Sequence, residues 1–432
     1  MNQLIAARIA RRIAAVTSLA LVGGSLTACA ATATPEATTT TTTTVDASDS
    51  TFWDEGVVHD ISIDLADADY QALITAYLQT GEKEWATASV TIDGTEFDDV
   101  GIKLKGNSTL RTVTADSEPQ TLPWLIDLDK YVDGQQYLDA TELVVRGSST
   151  ETALNEALAL ELLDQAGLAT EQAVSSRISF NGGTQELRLV IQNPDGTWDE
   201  QQFGDEGLVY KAEASGDYSY RGDDPESYTD VFDQESGDDD LTPLIAFLKF
   251  INESDDATFA ADLSTYLDVD SFATYLAFQD LVDNFDDING PGNNSYLRYD
   301  ETTGVMTVVS WDLNLAFGTA NVDGGGPGMG GQGGPGGAPQ GAGPQAGGGN
   351  GGPQGGAGRE KANVLVDRFL ANDEFAALYA QATTDLTAKL ITSGAAQDAL
   401  DEWVAVLTAQ ASDLVAAATV EAEAEALEKY LS

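Results

Sequence analysis

The sequence predicts an α+β protein of two lobes, sheet-rich over residues 51–235 and helix-rich over 236–432. Three observations predict it. Apolar residues alternate with polar ones through the first half, the period of strands, whereas in the second half they recur every three or four positions, the period of helices. A hydrophobic content of 42% is enough to fill a core. Two low-complexity stretches, over residues 30–50 and 321–358, shorten the part that must fold, so one large domain or two lobes is expected from 432 residues.

The amino terminus carries Arg8, Arg11 and Arg12, then an apolar run from Ile13 to Val22, then small residues before Cys29. This is the layout of a secretory signal, here residues 1–28. Leu26-Thr27-Ala28-Cys29 resembles a bacterial lipobox, which makes Cys29 the expected lipidation site; the plainer alternative is a signal peptide followed by a chance free cysteine. A run of about ten apolar residues is too short to cross a hydrocarbon layer of about 30 Å. The expectation is therefore a soluble body anchored by lipid to the membrane of a cell envelope, outside the cytoplasm, with the Thr-rich residues 29–50 as a stalk.

Within the body, Val58–Leu65 alternates as a strand, Asp67–Gln79 suits a helix, and Ala88–Gly94 is a strand running into a turn. Gly101–Ser108, Leu125–Leu128 and Leu143–Val145 extend the sheet. Thr152–Ala166 reads as a helix because Leu154, Leu158 and Leu162 stand one turn apart and Gly167 stops it. Ser175–Phe180, Leu187–Ile191 and Gly207–Lys211 are strand-like. Helices are expected over Leu241–Asn252, Thr258–Tyr266 and Asp270–Asn284, then a hairpin of Ser295–Tyr299 and Val305–Ser310. Residues 324–358 hold 20 of the 43 glycines without a three-residue period, which rejects collagen and leaves a flexible insertion. Ala362–Leu370, Glu374–Ile391 and Ala395–Leu431 close the chain as helices.

Lys and Arg number 20 against 71 Asp and Glu, a formal net charge of −51. Such a field repels phosphate backbones, so a nucleic-acid partner is excluded, and it attracts divalent cations. A single cysteine and a single histidine, His59, argue against Cys/His zinc sites and a Ser-His-Asp triad.

The segment most loaded with chemistry runs from Asp283 to Asn294, between a helix and the hairpin. The hairpin brings its two ends together, so Asp286 or Asp287 can converge with Asn294 and Asp312, a set of oxygens suited to Mg²⁺. An EF-hand fails on spacing: with Gly290 at the sixth position, the first and twelfth would be Phe285 and Tyr296. Two readings stay open, ordinary turn chemistry of Asp and Asn and phosphoryl transfer, in which one carboxylate handles an acceptor hydroxyl while an Asn and a second Asp hold metal.

Several motifs, in this order, resemble the spore coat protein H (CotH) kinase family: Gly101-Ile102-Lys103-Leu104-Lys105-Gly106-Asn107-Ser108, the helix at Leu154-Asn155-Glu156-Ala157, Leu208-Val209-Tyr210-Lys211, Asn284-x-Asp286 through Asn294-x-Tyr296-Leu297, Trp311-Asp312-Leu313 with Phe317-Gly318, and Asn363-Val364-Leu365-Val366. The resemblance spans residues 55–425. It implies a two-lobed, atypical protein-kinase-like fold, surface-associated, that uses ATP and Mg²⁺ or Mn²⁺ to phosphorylate Ser or Thr of partner proteins. By position, Asp286 is then the catalytic Asp, Asn294 the metal-side Asn and Asp312 the metal-binding Asp. Lys103, Lys105 and Lys211 are the candidates for contacting nucleotide phosphate, with Glu156 as the partner of such a lysine. The chain departs from the family pattern at Asn314, where a second Asp is usual, and at Leu122, where a Lys is usual before Pro123-Trp124. A catalytically degenerate binding or assembly module is the alternative these departures suggest.

Overall fold

The computed structural model describes residues 44–45, 51–147, 149–205, 207–319 and 363–431. The expected signal segment, Cys29, most of the stalk and the glycine-rich insertion lie outside these residues. The amino-terminal region holds strands β1 (His59–Asp64), β2 (Ala86–Ile92), β3 (Thr95–Leu104), β4 (Trp124–Asp127), β5 (Glu142–Val145), β6 (Ala173–Phe180) and β7 (Glu186–Gln192). Helix α1 (Asp67–Thr80) follows β1, and helix α2 (Leu154–Ala166) follows β5. The seven strands close into a barrel in the order β1-β2-β3-β4-β5-β7-β6. Its one parallel seam joins β1 to β6, with His59 opposite Ser176.

Alternation along the strands explains the barrel. Ile61, Ile63, Ile102, Leu104, Trp124 and Ile126 point inward and are almost wholly buried. Residues one position away, such as Leu125, Val144 and Ile191, face outward and pack under α2 in a second core. Helix α2 thereby lies across the outer face of β4, β5 and β7, which fixes where Glu156 sits. Gly167 ends the helix in the left-handed region, φ 89°. The helix start has no side-chain cap of its own; Glu423 instead accepts from the backbone N–H of Glu151 and Thr152.

A second, fully antiparallel sheet runs β9 (Phe232–Ser236), β8 (Leu208–Ala212), β10 (Ser295–Asp300), β11 (Val305–Ser310). Gly304, at φ 76°, turns β10 into β11, and Ser295 pairs with Ser310 at the open end. Helices α4 (Thr242–Glu253), α5 (Asp256–Asp262) and α6 (Val269–Leu281) pack with α7 (Val364–Ala371) and α8 (Asp373–Leu386) around Leu297, Met306 and Val308 of this sheet. Helices α9 (Ala395–Gln410) and α10 (Ala417–Glu428) complete the core around α2. The chain is thus a mixed α+β protein with a barrel-like, sheet-rich amino-terminal region and a helical carboxy-terminal region.

Three elements differ from the sequence expectation. Gly196–Phe203 forms a helix, α3, capped by Asp195, which accepts from the Trp198 N–H; its mostly polar text carries no apolar period and predicts no element. Phe232–Ser236 is the edge strand β9, too polar for an alternating signal. The single helix expected over Ala395–Leu431 breaks after Gln410, where Asp413 leaves the helical line to pair with Arg177 of the barrel at 2.6 Å.

Candidate active site

One wall of a cleft is built from the hairpin and the loop before it. Asp268 caps α6 by accepting from Ser271 N–H, and the helix ends at Val282, delivering the loop 283–294 to the hairpin. Asn284 accepts from the Asp286 N–H at 3.4 Å and donates to Gln279 at 2.8 Å; Gln279 donates to Ser310 at 2.7 Å. This buried relay ties the Asp286 loop to the end of β11, one residue before Trp311-Asp312. The Asp286 carboxylate accepts from the Gly292 N–H, and a Cβ at position 292 would stand 2.6 Å from Asp286 Oδ2. Glycine there is what lets the backbone close on the carboxylate. Asp312 sits in the left-handed region, φ 60° and ψ 60°, and the carbonyl of Asn314 just beyond it accepts from Asn155 of α2 at 2.6 Å.

The opposite wall comes from the barrel. Lys105, immediately after β3, donates to Asn193 Oδ1 at 2.5 Å, and its ammonium stands 5.6 Å from the centre of the Trp311 ring. Burial pushes the Lys105 pKa down to about 8, against the pull of Glu235, and Lys211 adds to the fall. Arg146, at the end of β5, is 7% exposed, so its charge has to be compensated inside the protein. It donates to Glu156 of α2 at 2.8 Å and also to Asp312 Oδ1. Burial alone would lower the Arg146 pKa, but Glu156 and Asp312 carry it above its ordinary value. Burial raises the Glu156 pKa even with Arg146 beside it.

Lys105, Arg146, Asp286, Asn294 and Asp312 all line this cleft, whose open space, solvent at the mouth included, is about 950 Å³. Gly106, Asn107 and Ser108 form its rim, and Asn314 and Phe285 also face it. Asp286, Asn294 and Asp312, which the hairpin is expected to bring together, thus share the lining of one cleft. The lysines divide. Lys105 lines the cleft; Lys103 stands over the Trp85 ring, 4.5 Å from its centre, and Lys211 pairs with Glu213 at 2.6 Å. The lysine expected to partner Glu156 is replaced by Arg146, which follows the apolar strand Glu142–Val145 and reads in the sequence as no more than a strand end. Leu122 is 5% exposed in the packed interior, so its side chain has no part in the cleft.

The oxygen donors suit a hard cation. Asp312 gives one oxygen to Arg146 while its side chain stays 27% exposed, and Asn294 is half-buried beside it. Among the described residues no group of three or more His, Cys, Asp or Glu is placed to hold a metal ion. A cation here would take Asp312 and Asn294 oxygens and complete its shell with water and phosphate, which is how Mg²⁺ is commonly held.

No helix among the described residues is long and apolar enough to cross a membrane. No curated protein matches the chain. The family model for CotH kinase protein matches residues 102–429, a span that takes in both walls of the cleft together with α2 and the carboxy-terminal helices. The chain belongs to the CotH kinase family.

Proposed function

We propose that the protein is a metal-dependent protein kinase that transfers the γ-phosphoryl group of ATP to a Ser or Thr hydroxyl of a partner protein. The observation that carries this reading is the meeting of Asp286, Asn294 and Asp312 with Lys105 and Arg146 in one cleft. Asp286 accepts the hydroxyl proton as the acceptor oxygen bonds to the γ-phosphorus and the bond to the β–γ bridging oxygen breaks, releasing ADP. Asp312 and Asn294 would hold Mg²⁺ or Mn²⁺, which would supply neutralisation of charge on the phosphates. Lys105 offers an ammonium to the phosphates, and the N–H groups of Gly106, Asn107 and Ser108 cover them. Glu156 acts through Arg146 and is a positioning residue. Two-lobed kinase architecture, a lipid at Cys29 and an extracytoplasmic address at a cell envelope belong to the same proposal, supported by the lipobox and the family.

Incubation of the purified chain with labelled ATP, Mg²⁺ or Mn²⁺ and a Ser/Thr-rich protein tests it. The expected result is label on the acceptor or on the chain itself, abolished by Asp312→Ala. A second reading, a catalytically inactive binding module, is favoured by the contact of Arg146 with Asp312, which occupies an oxygen the cation needs. Equal, background incorporation by wild type and Asp312→Ala, with no effect of ATP on melting, would select it.

A further inference from the structure

In a chain with 71 carboxylates, a lysine without an ion pair is conspicuous. Among the described residues Lys103 and Lys130 make none, and both stand over one aromatic ring. Lys103 and Lys130 stand 4.5 and 4.4 Å from the centre of Trp85. Gly101 makes the arrangement possible: a Cβ there would lie 2.6 Å from Lys130 Cβ and 3.1 Å from the Trp85 ring. Gly101 and Lys103 of β3 and Lys105 just after it alternate with inward-facing Ile102 and Leu104, which places this surface on the side of the strand that leads to the cleft. Loss of surrounding water lowers the Lys83 pKa first, and Lys211 and Lys103 lower it further against Glu213.

Two of the acids near these lysines are otherwise engaged or held partly protonated. Glu213 is engaged by Lys211 at 2.6 Å, and Asp127, which faces Lys130, is pushed up to about 7 by burial and by Glu142. Like charges held together on a folded surface cost free energy that an anionic ligand relieves. From Lys105 to Lys103 is about 7 Å of strand, so an extended peptide reaching from the cleft to Trp85 spans about two to four residues.

Resting on the kinase reading above, we infer that the Lys103 and Lys130 surface around Trp85 holds an anionic side chain of the acceptor protein, a carboxylate or a phosphoester, close in sequence to the hydroxyl presented to Asp286. The chemistry is shared by acidic and by already phosphorylated acceptors.

The test uses the full chain without ATP and fluorescent peptides carrying one Ser flanked by Glu, by phosphoserine or by Lys. Anisotropy should show the Glu or the phosphoserine peptide binding and the Lys peptide not. Lys103→Ala/Lys130→Ala should weaken that binding about 10-fold, the loss expected for two exposed charge contacts, with ATP-induced thermal shift unchanged. Whichever anionic peptide binds more tightly identifies the source. Equal binding by wild type and the double variant overturns the inference, as does loss of the ATP shift in that variant, which would make the surface part of the nucleotide site. Lysine-dependent peptide binding without any phosphotransfer would leave the docking surface standing and remove only the kinase reading.

Discussion

The acidic and basic walls of the cleft are held by different means. Asp286 is fixed by Gly292 six residues away, and the Asn284–Gln279–Ser310 relay spans one helix end and one hairpin. The basic wall closes over long distances. Lys105 finds Asn193 88 residues on, and Arg146 finds Asp312 166 residues on. A local loop preorganises Asp286, whereas the cations reach the cleft only when the barrel has closed and α2 lies across it. Loss of Asp286 should therefore cost chemistry with little effect on stability, and loss of an ion-pair partner of buried Arg146 should cost both.

The largest expected effect is on the acidic wall. Asp286→Asn should lower phosphotransfer about 10²- to 10⁴-fold, the range for a positioned proton acceptor, while the melting temperature stays within a degree or two of wild type by differential scanning calorimetry. A large drop in melting would break the claim that this wall is locally built. Glu156→Ala probes the other wall. It leaves Arg146 buried with only Asp312, and removing one partner of a buried pair costs about 3 kcal/mol, to be read from urea unfolding. An unchanged unfolding midpoint would mean that Arg146 swings into water and needs no partner. Gly292→Ala is a smaller perturbation: its Cβ meets both oxygens of Asp286 at 2.6 and 2.7 Å. Transfer should fall about 10-fold, the penalty for a displaced reacting group, again without a change in melting.

The same contrast explains what the sequence discloses. That Asp286, Asn294 and Asp312 line one cleft is legible because a hairpin with its turn at Gly304 joins the segments that carry them by local geometry. Most strands of the barrel were legible from alternation, and α2 from Leu154, Leu158, Leu162 and Gly167. Arg146 was not, since nothing near it in the chain announces Glu156 across a sheet face or Asp312 beyond the second sheet. Its signal, faint but present, was an arginine ending an apolar strand in a chain so poor in cations. The three lysine candidates looked equivalent because strand periodicity places Lys103 and Lys105 on one face without saying which reaches the cleft. Helix α3 and strand β9 were missed for a related reason: Asp199 of α3 is buried to hold Arg298 of β10 at 3.0 Å, so a polar text conceals a core contact.

The smallest effect is also the one that separates cleft chemistry from fold stability. Burial sets the Lys105 pKa at about 8, so its ammonium is charged below that pH and neutral above it. An unfolded lysine keeps its proton to about pH 10.4. Between about pH 8 and 10.4 the unfolded chain therefore binds more protons at this site, and the contribution of Lys105 to stability rises with pH. Phosphate affinity moves the opposite way, because a neutral amine offers no charge. From pH 7 to 8.5 the charged fraction falls about fourfold for a pKa near 8, and ATP affinity measured by calorimetry should fall with it while urea stability does not. Lys105→Arg, which stays charged, should bind ATP with no such loss over this interval. If ATP affinity and unfolding midpoint decline together in both proteins, the alkaline loss belongs to the fold and the basic wall owes nothing to Lys105.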